Sequence, residues 1–334
     1  MIDIFNLQEN KVTSNLGQYS IVIGSTTGDG KTTTMHNILK VINPDTEGKK
    51  KPLFLCSENR FRHIPGIMGI FIKNYAELQM VTNQLLDPRA KELYSCVVFD
   101  TIDRFDSMIE TYNADAKGVQ ITGDLGFGKG NKYIKSSLQL INKIRNAGWI
   151  THFCVQFEIS KDLNTQVETL GLAGINKETW RLVSQDAYLI GNLTKDNKED
   201  RWLTFKKTTA SPVLKDSIGF PSKVNVKNFK DEFMKAVEKM AGGKDKLVDE
   251  EVISNSVIDT RDFETIKARG NELGGILANN GFLDEAMNIL AHTIGTDEDG
   301  NPKMFDSLVA SQIDLADVVV QQLETLAKSK GLQV

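Results

Sequence analysis

With 334 residues, 40% of them hydrophobic, the chain has room for a sizeable core and for two domains, or for one large domain with an extension. No apolar run comes near the roughly 18 residues a membrane span needs, and the N-terminus carries no basic-then-apolar signal, which excludes a spanning protein and points to the cytoplasm. The net charge of −4 is unevenly spread: residues 224–334 hold 12 Lys and Arg against 20 Asp and Glu, a net of −8, and residues 1–223 hold 28 against 24, a net of +4. A mildly basic part followed by an acidic one suits a polyanionic partner, and it suits ordinary solvated faces equally well.

In chain order, residues 1–18 read as an edge strand or arm. Ile21-Val22-Ile23 is a short β-branched run and predicts a buried strand. A small-residue loop over 24–30 follows and opens a helix over about 31–41. Pro44, Asp45, Gly48 and three lysines make a loop, and Leu53-Phe54-Leu55-Cys56 predicts a second strand. Residues 61–72 have no regular pattern. The spacing of Leu78, Val81 and Leu85 predicts a helix over 76–86 that stops near Asp87-Pro88. Cys96-Val97-Val98-Phe99-Asp100 is a third strand, followed by a polar, glycine-rich segment over 113–131. Ile134, Leu138, Ile141 and Ile144 predict a helix over 133–147, with Gly148 suited to its C-terminal cap. A fourth strand over 150–155 ends at Gln156, and a polar loop spans about 160–176. Residues 187–190 and 202–205 flank a turn over 195–200 and read as a hairpin. Past Pro221 the composition shifts to four helical stretches, about 228–241, 262–279, 282–293 and 304–329.

The expected organisation is therefore a nucleotide-binding domain over 1–223 and an acidic helical region over 224–334. Alternating strands and helices predict an α/β fold with a mostly parallel sheet and ligands at the strand C-terminal ends. Cys56, Cys96 and Cys154 lie in or beside predicted strands and read as reduced core thiols; no Cys/His spacing suggests zinc. His152, in an apolar strand, reads as a satisfied core residue. Leu273, Ile276, Leu277, Leu283, Met287 and Leu290 read as a helical packing face.

Chemistry concentrates in Ser25-Thr26-Thr27-Gly28-Asp29-Gly30-Lys31-Thr32-Thr33. Strand, glycine loop, Lys-Thr and helix make up a phosphate-binding P-loop. Few Cβ atoms crowd the loop, so backbone N–H groups turn inward. The helix N-terminus adds positive potential, Lys31 is placed for the β and γ phosphates of ATP, and the Thr32 hydroxyl for Mg²⁺. Ser25 stands where the first glycine of the motif usually falls, with Gly24 one place early. Asp100, closing an apolar strand, fits the Mg²⁺-side carboxylate. Thr101 follows it where many P-loop ATPases have a catalytic Glu. Asp103 points away along a new turn in this reading, and Glu58, at the neighbouring strand end, is better placed to polarise a water. Gln156 is placed to sense the γ-phosphate.

The order Glu58, Asp100, Gln156 resembles the RecA-type ATPase core, with its base, Mg²⁺ aspartate and sensor glutamine after successive strands. The stretch from Arg201 to Pro212 is similar to RecA's late strand, whose lysines reach the ATP of a neighbouring subunit. Lys206 matches the first of them; the second falls on Thr208, with Lys207 beside it. A closer resemblance is to phage-encoded, single-domain RecA-like proteins of single-strand annealing and recombination. It is carried by Phe-Asp-Thr-Ile-Asp, by Phe127-Gly-Lys-Gly-Asn-Lys-Tyr133, and by Leu214-Lys-Asp before Gly219 and Pro221. Ser217 departs from that family's Lys-Asp-Arg, and Gln156 from its frequent histidine. The resemblance covers about residues 15–223.

It implies ATP and Mg²⁺ as cofactors, a homo-oligomer (ring or filament) and single-stranded DNA as partner. The C-terminal helices lie beyond it and leave three readings open: docking on a neighbouring subunit, recruiting a replication or recombination protein, or shielding the DNA site with acidic residues. RecA-like proteins bind DNA through loops after strands three and four, here about 113–132 and 157–176, where Lys117, Lys129 and Lys132 would meet phosphates and Tyr133 or Phe127 a base. An annealing protein that uses ATP as an assembly switch, a small-molecule P-loop kinase, and a helicase or packaging motor remain alternatives.

Overall fold

The computed structural model describes residues 11–26, 28–42, 50–126, 128–162, 165–248, 263–297, 300–308 and 312–332. Thr27, Phe127 and residues 1–10 of the expected arm lie outside the described residues. The chain divides into two compact units, Met1–Ile258 and Asp259–Val334.

The first unit holds strands β1 (Ile21–Ser25), β2 (Lys51–Cys56), β3 (Met68–Phe71), β4 (Tyr94–Asp100), β5 (Thr151–Lys161), β6 (Glu168–Leu172), β7 (Leu189–Lys195), β8 (Arg201–Thr204), β9 (Lys215–Asp216) and β10 (Lys223–Asn225). Its helices are α1 (Lys31–Ile42), α2 (Tyr75–Leu85), α3 (Pro88–Leu93), α4 (Ile102–Asp115), α5 (Lys129–Asn146), α6 (Lys177–Gln185) and α7 (Phe229–Ala241). Among the described residues the sheet runs β10-β8-β7-β1-β5-β4-β2-β3, with β6 attached to β5 and β9 to β7. The run from β7 to β3 is parallel throughout. β8 and β10 extend it antiparallel beyond β7.

Strands covered on both faces read as continuous apolar runs, which is why β1, β4 and β5 stand out in the sequence. Their side chains still alternate. Val22, Val97, Phe99, Phe153 and Val155 face a core shared with α2, α4, α5 and α6. Ile21, Ile23, Val98 and Cys154 face the opposite core, closed by Met35, Ile38 and Leu39 of α1 and by Phe229, Phe233 and Val237 of α7. That second core moves the domain boundary. The composition shift after Pro221 is real, but α7 packs against α1, so the first unit runs to Ile258 and not to residue 223.

Other differences have local causes. β3 was not legible because this four-residue edge strand leaves Met68 and Ile70 exposed. The fourth strand does not end at Gln156: Phe157, Glu158, Ile159 and Ser160 keep a period of two, and β5 continues into an antiparallel hairpin with β6 where a polar loop was expected. The polar segment expected over 113–131 is mostly structured, by the end of α4, a 3₁₀ turn at Thr122–Leu125 and the start of α5. Gly148 does follow α5 as expected, with φ +77° and its N–H on Arg145 O at 2.8 Å.

The second unit holds α8 (Phe263–Asn279), α9 (Leu283–Thr293) and α10 (Ile313–Ser329). Leu273, Leu277, Leu290, Val319 and Leu323 form its core; Leu283, expected on the packing face, is exposed. A Cβ at Gly270 would lie 2.4 Å from the Phe305 ring, so a glycine lets that ring lie on α8. The last helix begins at Ile313, not near 304, after a 3₁₀ turn at Phe305–Ser307. No helix among the described residues is long and apolar enough to cross a membrane.

Candidate functional site: a phosphate loop at the strand tips

β1 delivers the chain into the loop, and two glycines shape it. Gly28 and Gly30 have φ of +93° and +83°, the left-handed region that side chains avoid. Gly24 has a different duty. A Cβ there would lie 2.1 Å from the ring of Phe157, so the glycine one place early makes room for β5 rather than for phosphate. Ser25, in the place of the motif's first glycine, is fully buried and its hydroxyl donates to Thr26 O at 2.8 Å. Thr26 Oγ1 donates to Asp29 Oδ2 at 2.8 Å, and Thr34 N to Gly30 O at 2.9 Å, which starts α1. Lys31 Nζ donates to Ser25 O and Thr26 O, both at 3.3 Å. The amine thus bends back over the loop whose N–H groups suit an anion. Thr33 is half-buried in the first turn of α1.

Under the loop, Thr32 Oγ1 donates to Asp100 Oδ2 at 2.6 Å. Asp100 is buried, and desolvation pushes its carboxyl above the usual range, against the pull of the Thr32 and Cys154 hydrogen bonds and of Lys31. A hydroxyl and a buried carboxylate beside a phosphate loop are the hard oxygen donors that Mg²⁺ takes along with substrate phosphates. Among the described residues no group of three or more His, Cys, Asp or Glu gathers into a protein-only metal cage. The Asp100–Thr101 peptide is cis. Ser57 fastens the two strand tips together: its N–H and Oγ both donate to Asp100 O, and its Oγ accepts from Thr101 N.

Glu58 lies at the tip of β2, close enough for its charge to act on Asp100. It is not free, since it pairs with Arg60 at 3.5 Å and Arg104 at 3.6 Å. Gln156 sits beside Ser25 in the β1–β5 register, and its N–H donates to Asp103 Oδ1 at 3.0 Å. Asp103 is therefore turned inward and buried, contrary to the expectation that it points away. Lys206 and Lys207 are not brought to this chain's own phosphate loop. Asn192 pairs with both Gly24 and Thr204, and β8 runs away from the loop, so both lysines lie exposed past that level.

The lysines expected on a DNA loop sit on ordered elements. Lys129 and Lys132 belong to the first turn of α5, and Lys117 Nζ lies 4.5 Å from the Tyr133 ring centroid, over the face that a base would need. A Cβ at Gly130 would lie 2.5 Å from Thr122 O, so this glycine lets α5 start against the 3₁₀ turn. Thr122 is held by Glu110, which accepts from its N–H and its hydroxyl at 2.6 and 2.7 Å. Beside them a cavity of about 860 Å³ opens between the segments following β4 and β5, lined by Glu110, Gly126, Gly128, Asn131 and Asn176.

Three parts of the site had no signal in the sequence: Ser57, Cys154 and Phe157. Each acts through a strand register that only the folded sheet creates. The three cysteines are free and buried, and desolvation raises all three thiols, Cys96 to about 12. His152 is half satisfied: Nδ1 accepts from Ile21 N at 3.3 Å, while Nε2 is buried without a partner among the described residues.

A P-loop whose strand is separated by β5 from the strand ending in Asp100, the partner of Thr32, with helices on both faces, defines a P-loop NTPase core. The AAA domain family matches residues 18–212, more than half of the chain, and the chain belongs to that family. The chain is also 25% identical over 305 residues to the SPbeta prophage-derived uncharacterized protein YorG of Bacillus subtilis (strain 168), covering 88% of this chain and 90% of that protein.

Proposed function

We propose that this protein is a phage-derived, RecA-like ATPase that binds and hydrolyses Mg·ATP and acts on single-stranded DNA in recombination, repair or replication. The observation that carries the reading is the Thr32–Asp100 hydrogen bond beneath the P-loop, with Glu58 at the next strand tip. The prophage relative supports a phage setting. The antiparallel continuation through β8 and β10 supports the RecA-like assignment, because it puts a strand where the resemblance expects the late lysines.

In this reading Lys31 and the loop N–H groups hold the β and γ phosphates, and Thr32 and Asp100 hold Mg²⁺, which neutralises charge on the phosphates when bound. Glu58 orients the attacking water, and Gln156 reports the γ-phosphate to the hairpin that follows it. Lys206 or Lys207 closes a neighbouring subunit's pocket in a homo-oligomer. Lys117, Lys129 and Lys132 line the side offered to DNA.

The test is ATPase rate and particle size measured together, with and without single-stranded DNA. Lys31→Ala abolishes turnover; Glu58→Gln keeps nucleotide binding and loses turnover. Normal hydrolysis by Glu58→Gln removes the base assignment. One observation favours a second reading, an annealing protein that uses ATP as an assembly switch: Glu58 is held by two arginines and is not poised for water. Single-turnover rates separate the two, since a switch shows DNA-dependent assembly without DNA-dependent hydrolysis.

A further inference from the structure

Arg201 opens β8, at the end of that strand nearest the phosphate loop, where it pairs with Lys195 at the end of β7. Its guanidinium rests on the loop itself. A Cβ at Gly30 would lie 2.9 Å from Arg201 Nη2, 3.3 Å from Nε and 3.4 Å from Cζ, so the guanidinium lies against the face of Gly30 where a side chain would stand; the φ of +83° is what calls for glycine there. The turn before β8 holds the arginine in place. Asp196 accepts from Lys198 N, Asp200 N and Trp202 Nε1 at 2.8 to 3.0 Å, and Trp202 is clamped between β7 and β10.

Arg201 nevertheless makes no hydrogen bond or ion pair among the described residues, and its Nε is fully buried without an acceptor. The acids of the turn are paired elsewhere, Asp200 with Lys227 at 2.6 Å and Glu199 with Lys195 at 2.8 Å, although the charge of Arg201 is felt at Glu199. A buried N–H left unpaired costs stability, and a charged one more so. The guanidinium therefore lies against a loop built to receive an anion, and no acceptor among the described residues takes its N–H groups.

We infer that Arg201 is a ligand of the bound nucleotide in its own subunit, donating to a phosphate oxygen on the outer side of the loop, opposite the Lys31 amine. The inference rests on the reading of this site as a nucleoside triphosphate pocket. It adds a cationic contact from the same chain, distinct from the lysines expected from a neighbour.

The experiment is equilibrium binding of Mg·ATP and Mg·ADP to the full chain by wild type, Arg201→Gln and Arg201→Lys, with the nucleotide-free unfolding midpoint of each. Loss of one charge-assisted hydrogen bond weakens binding of both nucleotides about tenfold to a hundredfold in Arg201→Gln. Arg201→Lys recovers part of that loss, because the charge stays and the planar fork goes. The nucleotide-free midpoint of Arg201→Gln stays level or rises, since an orphan donor has been removed. Binding by Arg201→Gln within twofold of wild type overturns the assignment. So does a weakened affinity that comes with a lowered nucleotide-free midpoint, or one that lysine does not restore, because either marks a structural role. Wild-type protein that binds no nucleotide refutes the pocket itself, which is a different failure.

Discussion

Replacing Gly24 with alanine tests whether the phosphate loop and β5 are packed as one piece. The added methyl would sit 2.1, 2.2 and 2.4 Å from three carbons of the Phe157 ring, where an ordinary contact is near 3.5 Å. The ring must therefore retreat by more than an ångström. It is 1% exposed and wedged in the core with Phe153 and Val155, so no vacant space receives it. Overpacking of this kind costs about 1–3 kcal/mol, and a clash with the flat of a buried ring belongs at the upper end. In a unit of this size ~3 kcal/mol lowers the melting midpoint by about 6–12 °C. The assay is urea unfolding of Gly24→Ala, Phe157→Ala and the double variant. Phe157→Ala alone costs about 3–5 kcal/mol for the cavity it leaves. The double variant should be no worse than Phe157→Ala, because the new methyl enters the space the ring vacates, which gives a coupling of about 1–3 kcal/mol. Additive costs would refute the reasoning and mean that Gly24 is required for its backbone or for phosphate instead.

Three further outcomes follow from single contacts. Asp100→Asn keeps the Thr32 bond but removes a carboxyl whose folded pKa is raised by burial; ionising that group costs stability as pH rises, so at pH 7 the variant melts higher than wild type and loses the Mg²⁺ dependence of nucleotide binding. A lower midpoint with Mg²⁺ dependence intact contradicts this. Burial holds His152 down to about 3 against an ordinary 6.5, so between those values the unfolded chain binds a proton that the fold refuses, and stability falls with falling pH. Urea titrations at pH 6.5 and 5 should differ by about 2 kcal/mol from this group, and His152→Leu, though less stable overall, should flatten that slope. Gly130→Ala drives a Cβ to 2.5 Å from Thr122 O and costs about 1–3 kcal/mol despite alanine's better helix propensity. Hydrogen exchange over residues 122–132 should speed up; unchanged protection there argues against the close approach.

The parts of this molecule that could be read from the sequence are those whose cause is local. A β-branched run, a glycine loop and Lys-Thr specify β1, the loop and α1 without help from elsewhere. The positions of Asp100 and Glu58 were legible because one closes an apolar strand and the other follows one, and the parallel sheet gathers such ends on one side. What escaped depends on partners distant in the chain. In α6, Asn176 caps the helix, but only Thr179 and Val183 are buried, too thin a stripe to give a helical period. Asp106 holds that region, accepting from Asn176 N at 2.6 Å and from the Thr179 hydroxyl, across a separation no spacing rule spans. Arg201 stands in the sequence only as the first residue of the stretch similar to RecA's late strand, and only the β8–β7–β1 pairing carries it to Gly30.

The same pairings join the phosphate loop to the segments proposed for DNA and for the neighbouring subunit. Phe157 lies on Gly24, Ser25 is level with Gln156, and β5 then runs straight into the hairpin with β6. From the hairpin, Leu170 N donates to Ala210 O at 2.8 Å, in the turn just beyond Lys206 and Lys207. Contiguity of this kind is spatial, and coupling is an energy that must be measured. Linkage supplies the measure. If single-stranded DNA tightens Mg·ATP binding by some factor, Mg·ATP must tighten DNA binding by the same factor, provided both titrations start and end in the same assembly. Equal factors, both lost in Phe157→Ala, would make this strand the route. Unequal factors would mean that the particle grows or splits between the two titrations, and the coupling would then belong to the subunit interface proposed for Lys206 and Lys207.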